Sequence, residues 1–219
     1  MLKVHGKPAY CTLSPCLNSI VERQEFARYH YHEAKSFMEC YMDDNYPVME
    51  LFRLVFAGSG PDKEHLEDNQ SRARAHIVGC VQSLHSVSDI LGHVVYYSLN
   101  LSQARTERDI SLLKVRKWVR AHREYKGIQA GLDELTNHHD YEYLAALVNY
   151  SKHRSIISPR FNFDFRRLST ELVFPSFTYD GTFFPETPAY QFIESEFSRE
   201  SQLVVEIGNN LNALVKQDG

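Results

Sequence analysis

The chain carries none of the short signatures that announce a chemistry outright. It has no G-x-G-x-x-G, no P-loop and no G-x-S-x-G, so the usual dinucleotide, nucleoside-triphosphate and α/β-hydrolase readings lack their defining loops. Gly58-Ser59-Gly60-Pro61 is too short to cradle phosphates and reads as a turn. Cysteine is scarce and scattered: Cys11, Cys16, Cys40 and Cys80 include no C-x-x-C pair. This argues against a zinc site built from cysteine alone and fits a reducing compartment. The first residues, Met1 to Pro8, lack the apolar stretch of a signal peptide, so the expected location is the cytoplasm. Positive charge is not in excess either. A net charge of −4 gives no global case for nucleic acid or anionic lipid, and any such case must rest on local patches.

What is present is the composition of a folded protein, with 219 residues, 43% apolar and 24% charged. The expectation is a single domain, residues 1–219, of mainly α class. A helical bundle is expected over about 16–157, a β-hairpin or small antiparallel meander over about 160–185, and a C-terminal helix over about 189–216. Residues 1–14 read as a short arm. A helix follows from about Cys16 to Asp43, with Ile20, Phe26, Phe37, Cys40 and Tyr41 among its apolar positions. A short helix runs from Pro47 to Ala57. A long helix starts near Asp62 as N-cap and extends to about Leu101. Then come a basic helix from Asp109 to Lys126, a shorter one from Ile128 to Leu135, and one from Asp140 past His153. Phe161-Asn162-Phe163-Asp164-Phe165 alternates as a strand does, and Glu171 to Tyr179 is a second strand. Asp180-Gly181 predicts a tight hairpin turn into Thr182-Phe183-Phe184.

Between Ala75 and Leu101 the only charged residue is Asp89. A helix with so little charge, carrying Gly79, Ser83, Ser86 and Gly92, is expected to be buried on most sides. Gln82, His85, His93, Asn100 and four serines make it too polar to span a membrane. A buried Asp89 would need a partner, and His85 and His93 stand one turn either side of it. Two readings stay open. Asp89 locks helix packing, or His85, Asp89 and His93 contribute to a metal site completed by His30, His32 or Glu33. The three span about 12 Å of helix axis, too far for one ion to take all of them.

The later helix ends in Val148-Asn149-Tyr150-Ser151-Lys152-His153-Arg154. Asn149 and His153 share a face one turn apart. The flanking cations favour a neutral His153, which can accept a proton from a hydroxyl. Alternatively, Lys152, His153 and Arg154 are a favourable cationic last turn. Asn-x-x-x-His at the end of a late helix in a bundle of this size resembles the HEPN superfamily of nucleotide- and RNA-associated helical domains. Many of its active members carry an Arg-polar-x-x-x-His motif and cut RNA without a metal. Asn149 falls on the polar position and His153 on the histidine, but Val148 stands where the arginine belongs. The resemblance implies a homodimer with facing motifs, RNA or nucleotide as partner, no cofactor, and catalytic roles for His153 and Asn149. It also implies that His85 and Asp89 line the same cleft, with Lys152 or Arg154 as partner of Asp89.

Residues 105–126 hold eight cations, Arg116 and Arg120 among them, against three acids, with Trp118 and Tyr125 interleaved. A second group is Lys152, Arg154, Arg160, Arg166 and Arg167. Such groups can contact phosphates while the aromatics stack on bases, or they can pair with acids elsewhere in this net-negative chain. Lys152, Arg154, Arg116 and Arg120 are the expected substrate-binding residues. Three functions remain in competition: an HEPN-like, RNA-associated protein with an intact or degenerate ribonuclease site, a non-catalytic scaffold that binds a partner, and a metal-dependent helical-bundle enzyme.

Overall fold

The computed structural model describes the backbone of residues 2–43 and 45–217 and the side chains of residues 10–43 and 45–214. The fold is mainly α, as expected. Among the described residues there are seven α-helices: α1 (Leu2–Met42), α2 (Val48–Ala57), α3 (Pro61–Ser98), α4 (Leu112–Val119), α5 (Lys126–Thr136), α6 (His139–His153) and α7 (Ala189–Gln217). Five short strands lie between α6 and α7: β1 (Arg160–Asp164), β2 (Ser169–Phe174), β3 (Phe177–Tyr179), β4 (Thr182–Phe184) and β5 (Thr187–Pro188).

The expected N-terminal arm is helical from Leu2 onward, through Pro8 and Pro15. The reason is periodic. Leu13, Ile20, Ala27, Ala34 and Tyr41 recur every seven residues and all are buried, so the apolar seam begins before Cys16. Phe26 and Cys40, expected among the apolar positions of this helix, are exposed. Asp62 is not the N-cap of α3. Pro61 takes the first helical position, where its missing N–H is harmless, and Asp62 lies in the first turn. Glu64 also matches the dipole there.

The single basic helix expected over 109–126 is shorter. Ser111 caps α4 by accepting from the Lys114 N–H at 3.4 Å, and the helix stops at Val119. Two 3₁₀ turns, Glu107–Asp109 and Arg123–Tyr125, flank it. The strand expected over 171–179 is two strands, because Pro175 has no N–H to continue the ladder. β1, β2 and β5 form one antiparallel sheet, with Phe161 opposite Leu172 and Phe163 opposite Thr170. β3 and β4 form the hairpin, closed by Asp180 at φ 49° and Gly181 at φ 80°. Two successive positive φ values are what a type I′ turn demands.

The chain divides into two compact units whose boundaries fall inside α1, α3, α6 and α7. Unit 1 comprises Met1–Glu25, Ser83–Leu144 and Glu196–Gly219. Its core joins Leu13 and Ile20 of α1, Val87, Leu91 and Val95 of α3, Leu132 and Leu135 of α5, and Leu203, Ile207 and Leu211 of α7. Unit 2 comprises Phe26–Gln82 and Ala145–Ser195. It buries Met38, Leu51, Leu66 and Ile77 together with Val173 and Phe174 of β2 and Phe192 of α7. Among the described residues, no helix is long and apolar enough to cross a membrane.

In unit 1, α3 approaches the start of α4 at Gly92. A Cβ there would stand 2.9 Å from Leu112 N and 3.0 Å from Leu112 Cα, both main-chain atoms. Gly92→Ala is therefore expected to destabilise the protein by about 1–3 kcal/mol through overpacking. A thermal denaturation midpoint equal to that of the parent would show that the two segments do not meet this closely.

Candidate functional site

The apolar stripe of α7 in unit 1 explains where its polar centre comes from. Leu203, Ile207 and Leu211 continue backwards, at helical spacing, to Glu200 and Glu196. Both glutamates therefore occupy core positions, and both are completely buried. Arg199 closes on Glu196 with two hydrogen bonds, Nε to Oε2 and Nη2 to Oε1, each 2.7 Å. Its Nη1 and Nη2 also donate to the carbonyls of Glu134 and Leu135 at 3.4 Å. One guanidinium thus holds a buried carboxylate against the last turn of α5, where exposed carbonyls favour a cation. Burial raises Glu196 above its ordinary range, and the Arg199 contact opposes that.

Glu200 has no such partner. Among the described residues, neither of its carboxyl oxygens makes a hydrogen bond. Burial, with the charges of Glu196 and Asp89 adding to it and Arg199 opposing, pushes its carboxyl well above the ordinary value. Tyr141 of α6 lies within hydrogen-bonding reach of Ser88 on α3 and feels the charges of Asp89, Glu200 and Glu196. Burial is the main cause of its raised pKa. At the start of α6, His138, Asp140 and Glu196 bring one ligand atom each within 4.8 Å of one another.

The expected site residues fall in both units. His85 and Asp89 belong to unit 1, and Asp89 is not buried: its side chain is 59% exposed against 9% for His85. The carboxylate keeps its hydration while lying 3.5 Å from His85 Nδ1, so the desolvation cost expected of it never arises. Its neighbour is the His85 of its own helix. His93 packs its ring against Tyr97. Among the described residues, the three-ligand group does not include His85, Asp89, His93, His30, His32 or Glu33. His30 instead sets Nδ1 3.0 Å from Nδ1 of His76 in unit 2.

Asn149, Lys152, His153 and Arg154 belong to unit 2. Asn149 is half-buried and the other three are exposed at the end of α6. Arg154 lies over the rings of Tyr150 and Tyr179, at 5.5 and 5.7 Å. Tyr150 also stacks edge-on against Phe177. Val148 is fully buried. Arg116 and Arg120 of unit 1 are engaged internally. Arg120 reaches Asp133 at 2.8 Å, and Arg116 donates to Thr136 and Asn137 and lies 3.6 Å from Asp133. This is the internal pairing that a net-negative chain makes available.

Unit 2 holds a feature that the sequence only hinted at. A cavity of about 460 Å³ is lined by Lys63 and Arg74 of α3, Arg160 of β1 and Glu186. Phe56, Phe161 and Phe163 supply its rings, with Asn162 beside them. Arg74 is steadied by the Pro159 carbonyl at 3.3 Å and Lys63 by that of Val55, so neither charge is spent on its anchor. Lys63 is also 3.5 Å from Glu67, and Arg160 pairs with Glu186 at 2.9 Å. A larger cavity of about 540 Å³ is lined by Glu50 and Asp62 against Arg53, a balance unsuited to anions.

No protein-family model, curated protein or solved structure matches the chain.

The state of Glu200 has a measurable sign in the metal-free protein. The group faces Glu196, Asp89, Arg199 and Tyr141. The unfolded carboxyl titrates near 4.5 and the folded one well above it. The folded state therefore binds the extra proton between those values. Its contribution is full below the unfolded pKa and is lost as pH rises towards the folded one, by up to about 1.4 kcal/mol per pH unit. Glu200→Gln is expected to flatten that slope and to exceed the parent in stability at neutral pH. Urea denaturation at acidic and neutral pH checks this, and parallel profiles for the two proteins would refute it.

Proposed function

We propose that the protein binds RNA or a nucleotide on unit 2, as an HEPN-like protein whose Asn149–His153 pair is a degenerate relative of a ribonuclease site. The observation that carries the reading is the cavity in which Lys63, Arg74 and Arg160 meet Phe56, Phe161 and Phe163. Cations that track phosphates, interleaved with rings that stack on bases, are what sequence-tolerant single-strand binding requires. The rings are available: Phe56 is 67% exposed, and Phe56, Phe163 and Phe165 cluster with Phe52 at centroid distances of 4.7 to 6.1 Å. Asn162 offers an amide to a base edge. Lys152 and Arg154, exposed at the end of α6 in the same unit, add to the positive surface.

The degenerate character rests on Val148. An arginine there would have to bury a guanidinium, at a cost of several kcal/mol. Among the described residues, Asn149 and His153 do not hydrogen-bond to each other. The reading also takes the protein to be cytoplasmic, in keeping with four free thiols. It takes it to be a homodimer, as the resemblance implies.

Titration of labelled single-stranded RNA into the full chain tests the reading. Binding is expected at low salt and to weaken steeply as salt rises. Phe56→Ala is expected to weaken it about tenfold or more, the loss of one stacked base at roughly 1–3 kcal/mol. Arg74→Ala is expected to lower the salt slope by about one. No salt-dependent binding, or parent-like binding by both variants, would remove the proposal. RNA cleavage that His153→Ala abolishes would replace the degenerate reading with an active ribonuclease.

A further inference from the structure

Unit 1 presents a second chemistry that the RNA-binding reading does not use. We propose that His138, Asp140 and Glu196 form a site for a divalent transition-metal cation of the Mn²⁺, Fe²⁺ or Zn²⁺ type. Their ligand atoms lie within 4.8 Å of one another. Ligands of one such ion, at about 2.0–2.2 Å each, stand about 3 Å apart when adjacent and just over 4 Å apart when opposite, so the three side chains draw together on the ion as it binds. One imidazole with two carboxylates is a donor set that suits these ions better than Ca²⁺ or Mg²⁺, which prefer oxygen alone.

The local structure orients each donor. His138 and Asp140 sit on the turn that opens α6, two residues apart. The Asp140 backbone N–H donates to the lone pair of His138 Nδ1 at 3.2 Å, and a cation bound at Nδ1 takes the place of that hydrogen bond. That nitrogen lies 3.8 Å from Asp140 Oδ2. The other Asp140 oxygen faces His139 Nδ1 at 3.4 Å. Glu196 is fixed by Arg199, and each of its oxygens keeps a second lone pair for a ligand. Both carboxylates are therefore backed by a further group, as metal-ligating carboxylates usually are. Burial grades from Glu196 in the core through half-buried Asp140 to exposed His138, which leaves the outer side open to water ligands.

Beside the three-ligand group, on the same helix as Glu196, lies a further buried acid, Glu200. It lies one turn after Glu196 on the same buried face, completely enclosed, with both carboxyl oxygens unpartnered among the described residues. The charge of Glu196 acts on it. Arg199, anchored on the α5 carbonyls, pairs with Glu196, and its charge also acts on Glu200. Among the described residues Arg199 pairs with Glu196 alone, and a dication at the three-ligand group offsets the charge of Asp140 as well.

The experiment uses the full chain freed of metal by a chelator and titrated with Mn²⁺, following the loss of the free-ion paramagnetic resonance signal. About one Mn²⁺ is expected to bind per chain and to be displaced by Zn²⁺. His138→Ala changes an exposed side chain and Asp140→Asn an isosteric, half-buried one, and circular dichroism checks that the fold persists. Each is expected to lose more than about tenfold in Mn²⁺ affinity. RNA binding should be unaffected in both, which separates this proposal from the previous one. A parent that takes up no Mn²⁺ overturns the proposal. So does parent-like uptake by the two folded variants.

Discussion

Taking the carboxylates of Glu196 and Glu200 out of water is the most demanding step in building unit 1. Each ion leaves its hydration shell at a cost of several kcal/mol, and only matching charge or a bound proton recovers it. Arg199 is how the chain meets half of that demand. By gripping Glu196 and two carbonyls at the end of α5, it fixes the place where α5 stops and the turn into α6 begins. His138, Asp140 and Tyr141 follow directly on that turn. Their placement beside α7 is thus a consequence of how one buried carboxylate is satisfied.

Unit 2 follows the opposite logic, leaving apolar groups in water. Phe56, Phe165, Leu168 and Phe183 are all exposed. Phe165 and Leu168 sit at the β1–β2 turn, where Asp164 accepts hydrogen bonds from the backbone N–H groups of Arg166 and Arg167. Leu168 there takes a positive φ of 52°. A leucine held in a conformation that favours glycine or asparagine, with its side chain in solvent, is an expensive way to make a turn.

Much of this fold could be read from residue order. The stretch from Ala75 to Leu101, helical as far as Ser98, is largely buried, as its lack of charge implies, and Asp180-Gly181 forms the expected hairpin turn. Where the reading failed, a stronger signal lay close by. Residues 1–14 read as an arm by composition, although Leu13 begins the seven-residue repeat that buries α1. Asp89 drew notice because it is the lone charge on an apolar helix, yet it lies at the edge of the buried face and stays in water. The carboxylates that do enter the core, Glu196 and Glu200, sit on a helix rich in charge. There only the spacing back from Leu203, Ile207 and Leu211 marks them out. The cationic pocket was legible only in part. Arg160 and the alternating phenylalanines stood out, but Lys63 and Arg74 come from a distant part of the chain, and nothing local ties them to β1.

The repeat along α1 has a bearing on how this sequence can change over time. Leu13, Ile20, Ala27, Ala34 and Tyr41 keep one phase through four successive heptads. A helix turns by about 100° per residue, so one inserted or deleted residue swings everything beyond it to another side. Only length changes near a whole heptad restore the seam. Substitutions can accumulate on the exposed faces of α1 quite freely, whereas its length between Leu13 and Tyr41 is close to frozen. A distant homologue should therefore be sought by that spacing before it is sought by residue identity.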